Sequence, residues 1–208
     1  MTPMRYLESL GVLNTKVIAA HCVWLTDDDI ALAAKHKVTI VHNPVSNLKL
    51  ASGIAPIAKM IDKGCTVALG TDSVASNDNL NLWEEIKLMP LLQKGTTLDP
   101  TVISPAQALA AATSVGAKAL GYSNLGMLKE GYIADLILVN IDTPYMTPNM
   151  HPESNLIYSL QGSDVTLTMV DGKVLYRGGE YLTMDAKAVM QSAREGAKDM
   201  YARYHAAN

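Results

Sequence analysis

GCTVALGTDSVASN, residues 64 to 77, carries a carboxylate at the mouth of an apolar strand. Cys65 to Gly70 is a run of small and β-branched residues without polar alternation, which predicts a strand buried on both faces. Thr71-Asp72-Ser73 ends it abruptly. Gly64 closes a helix expected over Ile54 to Lys63, in the C′ position that favours glycine. A second helix is expected from Leu80 to Lys94, ended by Gly95. The stretch is therefore the centre of a helix–strand–helix unit with a charged group at the strand's carboxyl end.

The same unit recurs upstream. Lys16 to Cys22 (KVIAAHC) reads as a short buried strand, and Thr26 with Asp29 three residues later forms a capping box for the next helix. Lys37 to His42 (KVTIVH) is another β-branched strand, stopped by Pro44. Apolar strands alternating with helices predict a parallel sheet covered on both faces. These strands end in His21, His42 and Asp72. Taken singly, each histidine reads as a satisfied hydrogen-bonding residue and Asp72 as a helix cap. Three metal-capable side chains at three successive strand ends read differently, because barrel enzymes collect their catalytic groups at the carboxyl ends of strands. A hydrolytic Zn²⁺ or Fe²⁺ site needs about three or four nitrogen and oxygen ligands and an open position. Asp72 with one or two histidines supplies half of that set. No H-x-H, H-E-x-x-H or H-x-E…P-C-x-x-C is present to supply the rest. His36 is expected on a solvated helix beside Lys35 and Lys37, His151 in a loop, and His205 in the tail.

Ser104-Pro105 opens an Ala-rich helix expected to run unbroken to Leu120 and to end at Gly121. The texture then changes. Gly131 to Val139 reads as a strand, Pro152 to Leu160 as a short helix, and Asp171-Gly172 as the turn of a hairpin between Val165 to Val170 and Lys173 to Tyr176. An amphipathic helix is expected from Asp185 to Tyr204. The expected division is 1–124 for the α/β part, 125–184 for the β part and 185–208 for the terminal helix.

Composition narrows the function. The formal net charge of the 208 residues is −3 with no basic run, so the footprint of a nucleic-acid binder is absent. No apolar run approaches the ~18 residues of a membrane span. Cys22 and Cys65 form no C-x-x-C pair and are expected as reduced thiols in a cytoplasmic protein. MTPMRYLESLGVL has neither a basic segment nor an apolar core, so no secretory leader is expected. Ser46-Asn47 and Gly70 to Asn77 offer backbone donors for an anion, but Asp72 in the same loop would repel phosphate. Glu84, Glu85 and Lys87 are expected on a solvated helix face, and the methionines as core filler.

Four segments together carry a resemblance: AAHC (19–22), VHNPVSNLKLASGIAP (41–56), LGTDSVASN (69–77) and GMLKEGYIADLILV (126–139). They resemble the amidohydrolase superfamily, above all its methylthioadenosine/S-adenosylhomocysteine deaminase branch with its chlorohydrolase-like relatives. The resemblance covers nearly the whole chain. It implies the C-terminal part of a metal-dependent (β/α)8 barrel, about strands six to eight, plus strands of a small composite β-sandwich. Asp72 matches the eighth-strand metal ligand and proton acceptor. His21 matches the sixth-strand histidine that faces the attacking water, and His42 and Asn43 match residues lining the substrate pocket. The implied cofactor is Zn²⁺ or Fe²⁺, and the implied reaction is hydrolytic deamination at C6 of an adenine-type nucleoside. The H-x-H and H-x-x-E elements of the family are not in this sequence. The chain therefore corresponds to about half of a family member, with Met1 at an internal position, since a full barrel takes about 250 residues. Inactivity alone and association through open sheet edges, as a homo-oligomer, are expected. Two alternatives stand beside this: a non-enzymatic remnant or interaction module, and a chloro- or aminohydrolase acting on another heteroaromatic ring.

Overall fold

The computed structural model describes residues 1–207, which form two compact units. The first comprises Met1–Tyr132 and Ile141–Asp164, and the second Ile133–Asn140 with the chain from Val165 onward. In chain order the elements of the first unit begin with α1 (Pro3–Ser9), β1 (Ile18–Ala20), α2 (Asp27–Lys35), β2 (Thr39–His42), α3 (Pro44–Lys49), α4 (Ile57–Asp62) and β3 (Thr66–Leu69). After β3 come α5 (Val74–Asn77), α6 (Leu82–Thr97), α7 (Pro105–Ala112) and α8 (Ser114–Leu120). Next are β4 (Leu136–Val139) of the second unit and α9 (Pro152–Tyr158) of the first. The second unit resumes with β5 (Val165–Val170), β6 (Lys173–Arg177), β7 (Glu180–Tyr181) and α10 (Ala186–Ala207).

β1, β2 and β3 form a parallel sheet in that order, with Ile18 opposite Thr39 and Thr39 opposite Thr66. β2 is central, and Ile40 is fully buried in a core with Ile30, Ile57, Met60, Ile86 and Met89. Each crossover is helical because a parallel neighbour cannot be reached by a tight turn. The capping box of α2 forms as its sequence predicts: Asp29 N–H donates to Thr26 Oγ1 (3.2 Å) and Thr26 N–H donates to Asp29 Oδ2 (3.1 Å). Thr2 Oγ1 adds a 2.5 Å bond to the other carboxylate oxygen, tying α1 to the start of α2.

Several expected boundaries move, each for a local reason. Pro44 does stop β2, but Asn43-Pro44 also opens α3, with Asn43 at the N-cap and proline at the first helical position. α4 begins three residues later than expected, at Ile57, because Pro56 occupies its N-cap. Gly95 does not end α6; the helix runs to Thr97 and stops at Leu98, in left-handed conformation at φ 56°. Thr96 and Thr97 hydroxyls donate back to main-chain carbonyls of Leu92 and Gln93 within this last turn. The Ala-rich helix is broken at Thr113 into α7 and α8. There the Thr113 hydroxyl takes the carbonyl of Leu109 (2.7 Å), the back-bond that disturbs helices. Gly121 closes α8 as expected, at φ 99°.

The stretch Ile141–Asp164 packs within the first unit: Ile157 and Leu160 are buried there, and Trp83 Nε1 donates to Leu156 O (2.8 Å). The second unit holds an antiparallel sheet in the order β4-β5-β6-β7. Its hairpin turn has Asp171 at φ 49° and Gly172 at φ 74°, the doubly left-handed geometry that an Asp-Gly pair favours. α10 is exposed along its described side chains; of the expected segment 185–208, Asn208 lies outside the described residues. Among the described residues no helix is long and apolar enough to cross a membrane.

The capping box supports the crossover between the first two strands. Thr26→Ala is expected to lower stability by about 1 kcal/mol, read as a shift of the chemical-denaturation midpoint at unchanged slope.

Candidate active site

The parallel register brings the ends of β1, β2 and β3 level. His21 N–H still donates to Val41 O (2.9 Å) and Gly70 N–H to His42 O (3.0 Å), so sheet pairing runs one residue beyond each strand. Past that point the backbone turns sharply. His21 (φ 65°), Cys22 (φ 51°) and Asp72 (φ 60°) all sit in the left-handed region, which costs a non-glycine residue about 1 kcal/mol. Strain of this kind persists where surrounding structure holds a side chain in place.

His21 and Asp72 do meet. His21 Nε2 lies 3.8 Å from Asp72 Oδ2. The opposite ring nitrogen, Nδ1, is 2.8 Å from Asn47 Oδ1. With that amide oxygen as acceptor, Nδ1 donates to Asn47, and this turns Nε2 toward the carboxylate. Asp72 Oδ2 accepts from Ser46 Oγ and Ser76 Oγ, both at 2.7 Å. The Ser46 hydroxyl first, then the Ser76 hydroxyl and the Ser73 backbone N–H, hold the Asp72 carboxyl down at about 2. The group is ionised at any neutral pH.

His42 is placed differently. It is fully buried, and neither ring nitrogen has a hydrogen-bond partner. Burial pushes its pKa down to about 4, so the ring is neutral at physiological pH. Asn43 is buried beside it in sequence, with Oδ1 unpaired, and a Cβ on Gly70 would lie 2.9 Å from Asn43 Nδ2. Gly70 is thus the close approach that lets the Asn43 amide sit against β3.

Two sequence expectations fail here. Glu85 is not on a solvated face but fully buried, taking Val45 N–H at 3.1 Å on Oε2 and Asn77 Nδ2 at 2.7 Å on Oε1. The legible signal was spacing, since Glu85 shares one helical stripe with the buried Met89 and Gln93. His36 caps α2 and is largely shielded, 3.2 Å from Glu8 Oε1. Ser46, Asn47 and Ser76, the residues that orient His21 and Asp72, follow no motif of catalytic chemistry and were missed as side-chain donors and acceptors.

Asp72 and His21 are oxygen and nitrogen donors of the type that zinc takes. Two donors do not close a metal site, and among the described residues no three His, Cys, Asp or Glu side chains gather to hold one. A cavity of about 630 Å³ lies elsewhere in the first unit, between Ile61, Val67, Met89, Lys118 and Tyr122, and none of the four predicted site residues lines it. The chemistry, not this cavity, marks the site.

The model of the amidohydrolase family matches residues 1–175. The chain belongs to that family. It is 50% identical over 200 residues to a 5′-deoxyadenosine deaminase of Methanosarcina acetivorans, covering 96% of this chain and 46% of that protein. It is 46% identical to a 5-methylthioadenosine/S-adenosylhomocysteine deaminase of Dictyoglomus turgidum, again over 96% of this chain and 47% of the other. The crystal structure of an adenosine deaminase from Xanthomonas campestris with bound zinc superposes with a TM-score of 0.94 at 35% identity, over 97% of this chain and 46% of that one. The zinc complex of atrazine chlorohydrolase from Arthrobacter aurescens gives 0.86 at 31% identity, over 94% and 44%. The chain thus spans about half the length of the relatives it matches.

Two outcomes follow from the site's electrostatics. Ser46→Ala and Ser76→Ala each remove a donor to Asp72 and are expected to raise its pKa from about 2 toward the ordinary carboxylate value of 3.8, followed by NMR titration of the side-chain carboxyl. For His42 the unfolded ring takes its proton near 6.5 and the folded ring only near 4, so acidification through that window favours unfolding. Folding stability is expected to fall by ~3 kcal/mol across it on this account. His42→Gln is expected to flatten that part of the stability profile measured by denaturation at pH 7 and pH 4.5.

Proposed function

We propose that this chain carries part of the active site of a zinc-dependent amidohydrolase that deaminates an adenine-type nucleoside, of the 5′-deoxyadenosine or methylthioadenosine/S-adenosylhomocysteine class. On this reading β1, β2 and β3 are the sixth to eighth strands of a (β/α)8 barrel. The divisions 1–124, 125–184 and 185–208 are then partial barrel, β-sandwich portion and terminal helix, except that Ile141–Asp164 packs in the first compact unit and not with the sheet of the second. The observation that carries the reading is the His21–Asp72 pair, held by Asn47, Ser46 and Ser76 at the ends of β1 and β3, the parallel strands on either side of β2.

The metal, zinc or ferrous iron, needs donors from outside the described residues, and what it supplies when bound is an acidified water. The chain's own residues then act as follows. Asp72 is a fixed anion at the metal position and accepts the proton that the water gives up. Its two serine donors keep its basicity low, so the proton does not stay there. His21 Nε2, 3.8 Å away, receives it, because Nδ1 already holds its own proton against Asn47. His42 and Asn43 line the adenine pocket, where a neutral ring and an unpaired amide oxygen suit the edge of a purine. Hydroxide adds at C6, the proton held at His21 passes to the departing amine, and the hydroxyl proton ends on ring N1 as the carbonyl forms, the C6–N bond breaks and ammonia leaves.

The open edges of the three-stranded sheet support association, as a homo-oligomer or with a chain supplying the missing strands. The free Cys22 and Cys65 suit a cytoplasmic setting. The likeness to atrazine chlorohydrolase favours a second reading, displacement at another heteroaromatic ring, but at 31% identity against 50% for the deoxyadenosine deaminase it ranks behind.

The test joins this chain to the amino-terminal half of one of the related deaminases. The folded hybrid is expected to hold zinc by elemental analysis and to release ammonia from 5′-deoxyadenosine, methylthioadenosine or S-adenosylhomocysteine. The isolated chain should release none. Asp72→Asn is expected to cost the hybrid at least ~10²-fold in rate. A folded, zinc-loaded hybrid that leaves every nucleoside intact but dechlorinates a triazine would replace this reading with the second.

A further inference from the structure

Glu85 is a buried carboxylate on α6, away from His21 and Asp72, and the mechanism above does not use it. Its bonds are specific. Oε2 accepts from the backbone N–H of Val45, the residue before Ser46 (3.1 Å). Oε1 accepts from Asn77 Nδ2 (2.7 Å), and that same nitrogen donates to the carbonyl of Thr71, the residue before Asp72 (2.7 Å). A continuous chain of hydrogen bonds therefore runs from Val45 through Glu85 and Asn77 to Thr71. One residue further along each loop, Ser46 Oγ donates to Asp72 Oδ2 (2.7 Å). The connection from β2 into the first turn of α3 and the connection from β3 into α5 are thus bridged twice, at neighbouring residues, once in the interior and once at the site.

The polarity of the inner bridge is fixed. A backbone N–H only donates, and Asn77 Nδ2 donates both its hydrogens, since both of its partners are acceptors. The group between Val45 and Asn77 must accept on two atoms. A carboxylate does so; a glutamine of the same shape does not, because its Nε2 would face one donor or the other. Burial raises the Glu85 carboxyl while the bonds from Val45 and Asn77 oppose that. An unpaired carboxylate on the apolar stripe of α6 would be costly, whereas paired in this way it fixes two loops that share no backbone pairing of their own beyond the strand ends.

We infer that Glu85 is a positioning residue: through Val45 and Asn77 it sets the register of the two loops and so holds Ser46 against Asp72. Its bearing on catalysis rests on the role given to Asp72 above, but the positioning itself does not. α6 brings the anchor from the far side of both loops, so the site's geometry is set by a helix that contributes nothing to its chemistry.

Backbone amide exchange by NMR on the ¹⁵N-labelled full chain tests this without metal or substrate. Glu85→Gln is compared with the wild type and with Glu84→Gln, its exposed neighbour. Glu85→Gln is expected to raise exchange by about tenfold at Val45, Ser46 and the Thr71–Asn77 segment, with Ile40 and Val67 in the strands unchanged and Glu84→Gln silent. Exchange that rises equally in loops and strands would make Glu85 a core stabiliser and overturn the inference, and unchanged loops would overturn it too. Should Glu85→Gln not fold, Asn77→Ala leaves the carboxylate and the α6 packing in place. It must loosen the same loops for the inference to stand. The role of Asp72 is read separately, by Co²⁺ absorption of the hybrid enzyme with and without Asp72→Asn. Loss of that role would leave the exchange result intact.

Discussion

The parallel pairing of β1, β2 and β3 is the constraint on which everything else in the first unit depends. Parallel neighbours point their carboxyl ends the same way, so the residues that follow each strand leave from one edge of the sheet. Ile18 opposite Thr39, and Thr39 opposite Thr66, make those ends level to within a residue. A one-residue slip of β2 would turn its side chains to the opposite faces and take Ile40 out of the core it shares with Ile57 and Met60. The buried stripe of Ile40, Ile57, Met60 and Met89 holds the register, and the register holds His21 beside Asp72.

What the sheet cannot do is aim side chains beyond its last hydrogen bond. That work passes to polar groups. Asn47 fixes the ring of His21, two serines fix the carboxylate of Asp72, and a buried glutamate sets the loops that carry them. Left-handed backbone at His21 and Asp72 is part of the same arrangement, because an extended continuation would carry both side chains along the strand direction and apart. The hydrogen bonds that hold Asp72 also keep it ionised, so position and charge state are set by the same atoms.

Much of this was legible in the sequence, and the division between what was and was not has a physical basis. The three strands, the capping box at Thr26, the hairpin at Asp171-Gly172 and the strand-end residues His21, His42 and Asp72 are all encoded by residues close together in the chain. Local spacing suffices to read them. The break at Thr113 escaped because a threonine hydroxyl bonds back to a carbonyl, and the run of α6 past Gly95 because a glycine is tolerated inside a helix that tertiary packing holds, choices that propensity does not announce. Glu85 escaped for a deeper reason. Its partners are forty and eight residues away, and a charged residue in a charged stretch reads as solvated until the fold supplies its donors. Ser46 and Ser76 were invisible for the same reason: a hydroxyl says nothing about which carboxylate it will meet.

The contrast between fold and site is therefore one of range. A strand, a cap or a turn is settled by neighbours in sequence, and half of a family member keeps these intact, as the 0.94 TM-score over 97% of this chain attests. A site at strand ends draws its side chains from several strands, and here His21 and Asp72 meet while, among the described residues, no three His, Cys, Asp or Glu side chains gather. Their scaffolding is nonetheless complete: the ring is oriented, the carboxylate is ionised, and the loops are bridged in the interior. Preorganisation of this kind is costly in strain and in buried charge, and it is returned only when a ligand uses it.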